Sequence, residues 1–130
     1  MKNIFIVAGE SSGDQHAANY VNEHKKLNPD TKFTAIGQQE LKKTGSDIIF
    51  NSEEISVIGI IEVIAKYPKI KKALNIAYNH ILENKPNLVV LIDYVEFNLK
   101  VARFAKKNNI PVLFYVVPQV WAWREKRIKN

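Results

Sequence analysis

The chain has 130 residues, enough for one domain with a sizeable core, and its 46% apolar and 25% charged content excludes a disordered polypeptide. It has no cysteine, which excludes disulfides and thiolate chemistry. The net charge of +6 favours anionic partners: phosphorylated ligands, nucleic acid or an anionic membrane face.

The opening apolar run, Ile4–Ala8, is too short for a signal-peptide core, and no later stretch is long enough to span a bilayer, so the expected location is the cytoplasm. That run reads as a first buried strand. Gly9-Glu10-Ser11-Ser12-Gly13-Asp14 is a small-residue turn, with Asp14 able to cap a helix that runs to about Lys26. Asn28-Pro29-Asp30 breaks that helix. Lys32–Ile36 is a second strand, followed by Gly37 and a short helix through Lys43. Thr44-Gly45-Ser46 turns the chain into a third strand, Asp47–Phe50. Asn51 or Ser52 then caps a helix whose first turn holds Glu53 and Glu54, where acids suit the dipole. Pro68 is expected to interrupt it, with a second helix from about Lys69 to Glu83.

Leu88–Ile92 is an unbroken apolar run, the pattern of a strand buried on both faces of a parallel sheet. It ends on Asp93. A helix follows through Lys107, ended by Asn108 or Asn109, and Pro111–Val117 is the fifth strand. After Pro118 the segment VWAWREKRIKN starts another helix. The alternation of strands and helices predicts an α/β fold, a doubly wound parallel sheet, and right-handed crossovers suggest the order 3-2-1-4-5. That order makes strands one and four neighbours across the switch point. The Gly9–Asp14 turn, Asp93 and Pro118–Arg124 would then face one crevice. The expected division is a Rossmann-like domain over 1–118 and a linker helix over 119–130.

Four segments carry possible chemistry, each with a plainer alternative. The Gly9–Asp14 turn fits neither the dinucleotide fingerprint nor a P-loop, yet its glycines and helix start could receive an anion or a sugar hydroxyl; otherwise it is a tight connection capped by Asp14. Asp93 is either a general base or an N-cap with Glu96 at capping-box spacing. In ISVIGIIEVI, residues 55–64, Ser56, Gly59 and Glu62 make a narrow polar stripe and the rest is Val or Ile, with Lys66, Lys69, Lys71 and Lys72 just beyond. Such a segment suits an anionic bilayer surface or a protein interface. Trp121 and Trp123 could stack on a sugar or base and Arg124 could grip phosphate; otherwise they form a packed hinge beside a basic face. No nucleic-acid-binding module is recognisable. His16, His24 and His80 show no metal-ligand spacing and read as surface residues.

These segments together resemble the lipid A disaccharide synthase family. VAGESSGD (Val7–Asp14) is similar to its V-A-G-E-x-S-G-D. EISVIGIIEVI (Glu54–Ile64) is similar to E-L-(A/S)-V-M-G-x-x-E-V-L. IDYVEFN (Ile92–Asn98) is similar to I-D-A-P-D-F-N, and YVVPQVWAWR (Tyr115–Arg124) to Y-V-S-P-x-V-W-A-W-R. Departures are Gln38-Gln39-Glu40 after Gly37, where the family has G-G-P; Tyr94-Val95 for A-P; Glu96 for aspartate; and Val117 for serine.

The resemblance implies the first half of a two-domain glycosyltransferase B fold, with the donor half absent from these residues and the chain inactive alone. The implied reaction is inverting transfer of 2,3-diacylglucosamine from its UDP-sugar to 2,3-diacylglucosamine 1-phosphate, forming a β-1,6 link and releasing UDP. It makes Asp93 the candidate base, with Glu96 left as a cap. The implied substrate contacts are Gly9, Glu10, Ser12, Gly13, Asp14, Asn98, Pro118, Trp121, Trp123 and Arg124. Val57, Ile58, Ile60, Ile61, Lys66 and Lys69 would face acyl chains or an anionic membrane on the inner face of a Gram-negative inner membrane. No cofactor, metal or nucleic acid is implied, and a homo-oligomer is compatible. The alternative is a non-catalytic module that binds an acyl-sugar or a membrane.

Overall fold

The computed structural model describes residues 2–55 and 60–115, with side chains described throughout except at 60–63. Expectations for Ser56–Gly59 and for everything beyond Tyr115, including Pro118, Trp121, Trp123 and Arg124, lie outside the described residues.

Among the described residues, five strands form one parallel sheet: β1 (Asn3–Ala8), β2 (Lys32–Gly37), β3 (Asp47–Asn51), β4 (Leu88–Ile92) and β5 (Val112–Tyr115). Their order is β3-β2-β1-β4-β5, as the alternating pattern predicts. Four helices connect them: α1 (Ser11–Leu27), α2 (Gln39–Lys43), α3 (Ile60–Asn84) and α4 (Val95–Lys107). The period-two alternation of β1 divides the core into two layers. Ile4, Ile6 and Ala8 pack with Ala17, Val21 and Leu41 from α1 and α2. Phe5 and Val7 point the other way, into a cluster with Ala73, Ala77 and Ile81 of α3 and Val101 and Ala105 of α4. β4 repeats the division, with Val90 and Ile92 in the first cluster and Val89 and Leu91 in the second. Helices thus cover both faces, and the central strands are apolar along nearly their whole length for that reason.

Three local expectations are corrected. Asp14 does not cap α1; Glu10 holds the N-cap position, makes no side-chain cap bond, and Asp14 lies inside the helix. Pro68 does not divide the third helix, which runs from Ile60 to Asn84 through it. The bond that proline forfeits is to the Ile64 carbonyl, on a stretch where Ile64, Pro68 and Lys69 are exposed and solvent can serve that oxygen. The region holding Glu53 and Glu54 is a separate 3-10 turn, Ser52–Ile55, opened by the Glu53 amide donating to Asn51 Oδ1 at 2.9 Å. Two histidines are also less exposed than expected. His80 is half-buried with its ring 4.5 Å from Phe5, and His24 packs edge-on to Phe33. Burial pushes the His80 imidazole below its ordinary pKa; Asp47 and Glu83 oppose that shift and Lys32 adds to it.

Candidate functional site

The carboxyl ends of β1 and β4 adjoin at the point where the connections diverge, because Ala8 pairs with Ile92 in the sheet. In open α/β sheets that crevice is where ligands bind. One glycine lets the flanking segments approach. A Cβ at Gly9 would collide with the Tyr94 ring, whereas one at Gly13 would meet Ile92 Cγ2 in ordinary contact at 3.4 Å. Of the residues expected here, Gly9 and Glu10 lie in the β1–α1 turn and Ser12, Gly13 and Asp14 in the first turn of α1, while Asp93 lies in the β4–α4 turn and Asn98 in the first turn of α4.

Asp14 is 2% exposed. Its carboxylate accepts the amides of Gln38 (2.7 Å), Glu40 (2.8 Å) and Leu41 (3.4 Å). It therefore caps the start of α2, a helix that follows β2, and ties the β1 and β2 turns together. Asn98 is fully buried. Its Nδ2 donates to the carbonyls of Asp93 (2.8 Å), Ile92 (3.3 Å) and Val7 (3.4 Å). Both residues shape the crevice from beneath. Ser12 and Glu10 are exposed at the mouth.

Asp93 ends β4 half-buried, with φ at 50°, and Tyr94 follows with φ at 45°. Two successive non-glycine residues in the left-handed region are costly, about 1–3 kcal/mol each, and such strain concentrates at functional sites. The surrounding bonds hold it in place. The Asp93 amide donates to the Tyr115 carbonyl at 2.9 Å, and the Asp93 carbonyl accepts from Asn98. The Tyr94 hydroxyl donates to the Ile55 carbonyl at 3.1 Å, and its ring stacks on Phe97 at 5.2 Å. Burial, and after it the Glu10 carboxylate, raises the Tyr94 phenol above its ordinary pKa, which keeps it a donor. Tyr94 is the N-cap of α4 and makes no side-chain cap bond. The capping-box reading of Asp93 with Glu96 is thus overturned: the chain is already left-handed at Asp93 and Tyr94, and Glu96 is an exposed first-turn acid.

Three further residues at this edge are not among the expected contacts. The Ser11 hydroxyl donates to Gln38 Oε1 at 3.2 Å, linking α1 to the end of β2. Tyr115 closes β5, its ring 6.4 Å from His16. Their position at strand ends is the signal that could have found Gln38 and Tyr115, since all strands of a parallel sheet end on the edge that carries the crevice. Of the residues expected to face acyl chains, Ile60, Ile61, Lys66 and Lys69 fall in the first half of α3, and Lys69 lies 4.0 Å from Glu54. Ile64 and Tyr67 beside them are 70% and 60% exposed. No described helix is long and apolar enough to cross a membrane. Among the described residues, no group of three His, Asp or Glu is placed to hold a metal ion.

The sequence matches the lipid-A-disaccharide synthetase family over residues 4–130. It is 43% identical over 129 residues to a lipid-A-disaccharide synthase of Geobacter metallireducens, covering 99% of this chain and 34% of the relative. It is 44% identical over 126 residues to one of Nitrosococcus oceani, covering 96% of this chain and 32% of the relative. The chain thus spans about a third of the length of the curated relatives it matches. A glycotransferase of kitacinnamycin superposes with a TM-score of 0.63 at 13% identity, over 98% of this chain and 34% of that one. That likeness establishes the fold: this sheet is of the kind that makes one Rossmann-like half of a glycosyltransferase B molecule.

Proposed function

We propose, from the premise that this chain belongs to the lipid-A-disaccharide synthetase family, that it forms the acceptor-side half of a glycosyltransferase of lipid A biosynthesis. The donor is a UDP-2,3-diacylglucosamine, and the acceptor is a 2,3-diacylglucosamine 1-phosphate. Asp93 takes the proton of the acceptor 6-hydroxyl. The freed oxygen attacks the anomeric carbon on the face opposite UDP, the bond to UDP breaks, and a β-1,6 link forms with inversion. UDP is held by the part of the relatives that this chain does not span, so residues 1–130 alone do not catalyse transfer. The observation that carries the reading is the placement of Asp93, on a strained left-handed backbone at the β1/β4 switch point. Asp93→Asn in the complete enzyme tests it. Asparagine tolerates the left-handed backbone, so folding is expected to survive while transfer falls at least about a hundredfold. Near-normal turnover would remove Asp93 as the base.

The same reading puts the protein on the inner face of the inner membrane. Exposed Ile64 and Tyr67 flanked by Lys66 and Lys69 support it, because apolar side chains beside cations suit an anionic bilayer surface. Changing Ile64 and Tyr67 to serine should lower flotation with phosphatidylglycerol vesicles. Unchanged flotation would leave that face as a protein interface.

A further inference from the structure

One ring closes the crevice on the side of α3 and α4. The Tyr94 ring lies where a Cβ on Gly9 would be, so it reaches from the β4–α4 turn to the β1–α1 turn. Its far end meets the 3-10 turn, where the hydroxyl donates to the Ile55 carbonyl at 3.1 Å. The ring also stacks on Phe97 and packs against the core layer that α3 and α4 cover. These contacts hold it in one position. Tyr94 is nonetheless only half-buried and is the residue next to Asp93, so a ligand that reaches Asp93 meets it. Its phenol also feels the carboxylate of Glu10, which is exposed at the mouth.

Beyond the ring lies α3. Ile55 is fully buried in the cluster that holds Ala73 of that helix, and Glu54 beside it is 4.0 Å from Lys69. The exposed apolar residues Ile64 and Tyr67 precede Lys69 in the same helix. The Tyr94 side chain thus stands between Asp93 and the α3 surface proposed above to lie on the bilayer. An acyl group running from a sugar at Asp93 to that surface passes the ring. We propose that Tyr94 is a specificity-determining residue, whose anchored ring walls the crevice beside Asp93 and selects acceptors with slender acyl groups next to the sugar. A fixed apolar wall discriminates by bulk: it stays in contact with a linear acyl group and collides with a branched one. This rests on the proposed function above. Tyr94 stands where the resembling family has alanine, so the selection is a feature of this chain.

The test uses the complete enzyme and two acceptors, one with linear decanoyl groups and one whose decanoyl groups carry a methyl branch at the third carbon. The readout is the ratio of kcat/KM, linear over branched, in which a general loss of turnover cancels. The wild type is expected to prefer the linear acceptor about tenfold, and Tyr94→Ala to bring the ratio within about twofold of unity. Tyr94→Leu keeps an apolar side chain at this position and shortens the wall; it is expected to give a ratio of about threefold, and it carries the test should Tyr94→Ala not fold. A ratio left at the wild-type value by Tyr94→Ala, or by Tyr94→Leu in its place, overturns the proposal. So does a wild type that does not discriminate. Equilibrium dialysis of both labelled acceptors separates the wall from the reaction. If the wild type binds them and forms no disaccharide, the proposed reaction fails. The wall is then decided by whether the same substitutions relax the ratio of the two dissociation constants. Binding of neither acceptor overturns both.

Discussion

Asp14 and Asp93 both stand at the carboxyl edge of the sheet, one in the first turn of α1 and the other directly after β4. Asp14 is almost completely buried, and its carboxylate is committed to three amides of a neighbouring helix. At Asp93 the main chain is fixed from both sides: Asn98 takes its carbonyl, Tyr115 receives its amide, and its φ is left-handed. One aspartate holds the architecture with its side chain. The other has its main chain held by the architecture. Residue type does not separate these roles.

The largest effects should fall on opposite observables. Asp93→Asn is expected to lose at least about a hundredfold in transfer with unfolding free energy changed by less than about 0.5 kcal/mol. Asp14→Ala is expected to lose about 3 kcal/mol in denaturant unfolding, because it strips charged hydrogen bonds from buried amides, while activity per folded molecule stays within a few-fold. A stable but inactive Asp14→Ala protein would break the contrast and give Asp14 a direct role at the substrate.

A smaller effect sharpens how the β4 turn is held. Gly9→Ala should cost about 1–3 kcal/mol by pushing on the Tyr94 ring. In a Tyr94→Ala background the same change should cost at least about 1 kcal/mol less, a coupling that a double-mutant cycle of unfolding measures. Additive costs would mean the two residues do not share that space.

The smallest effect lies away from both turns. Burial lowers the His80 pKa, so the folded protein binds a proton less readily than the unfolded chain. Stability is then full above the unfolded value, about pH 6.5, and declines as pH falls below it toward the lower folded value. His80→Gln should flatten that part of the stability–pH curve and leave transfer at pH 7.5 unaltered. An unchanged curve would locate the dependence in other groups.

Much of the fold is legible in the sequence. β1 and β4 announce themselves as apolar runs because both faces of the sheet are covered, and the strand order follows from the alternation of strands with helices. The site is legible as far as strand order brings Gly9–Asp14 beside Asp93. What is not legible are roles set by partners distant in the chain. Asp14 reads from the sequence as a cap for α1, but the amides it serves are 24 to 27 residues away. Asp93 and Glu96 have capping-box spacing, but that pattern presumes an extended residue before the helix, and the backbone here is left-handed at two non-glycine positions. Pro68 reads as a break because the local rule counts a lost bond, whereas an exposed turn tolerates that loss. Gln38 carries a signal only as a polar residue at a strand end, and its burial appears only once Ser11 and Asp14 are placed around it.

The amide of Asn98 reaches across 91 residues to the Val7 carbonyl. That span has a consequence for how the site comes into being. Contacts of such separation are slow to form, since a long loop must close before they repay its entropy. A polypeptide emerging from the ribosome can pair β1, β2 and β3 early, but the crevice acquires its floor only when α4 docks and Asn98 bridges the two strand ends. Assembly of this edge of the sheet is therefore a late event in folding, and partly folded chains carry the sheet's first strands without the geometry that holds Asp93.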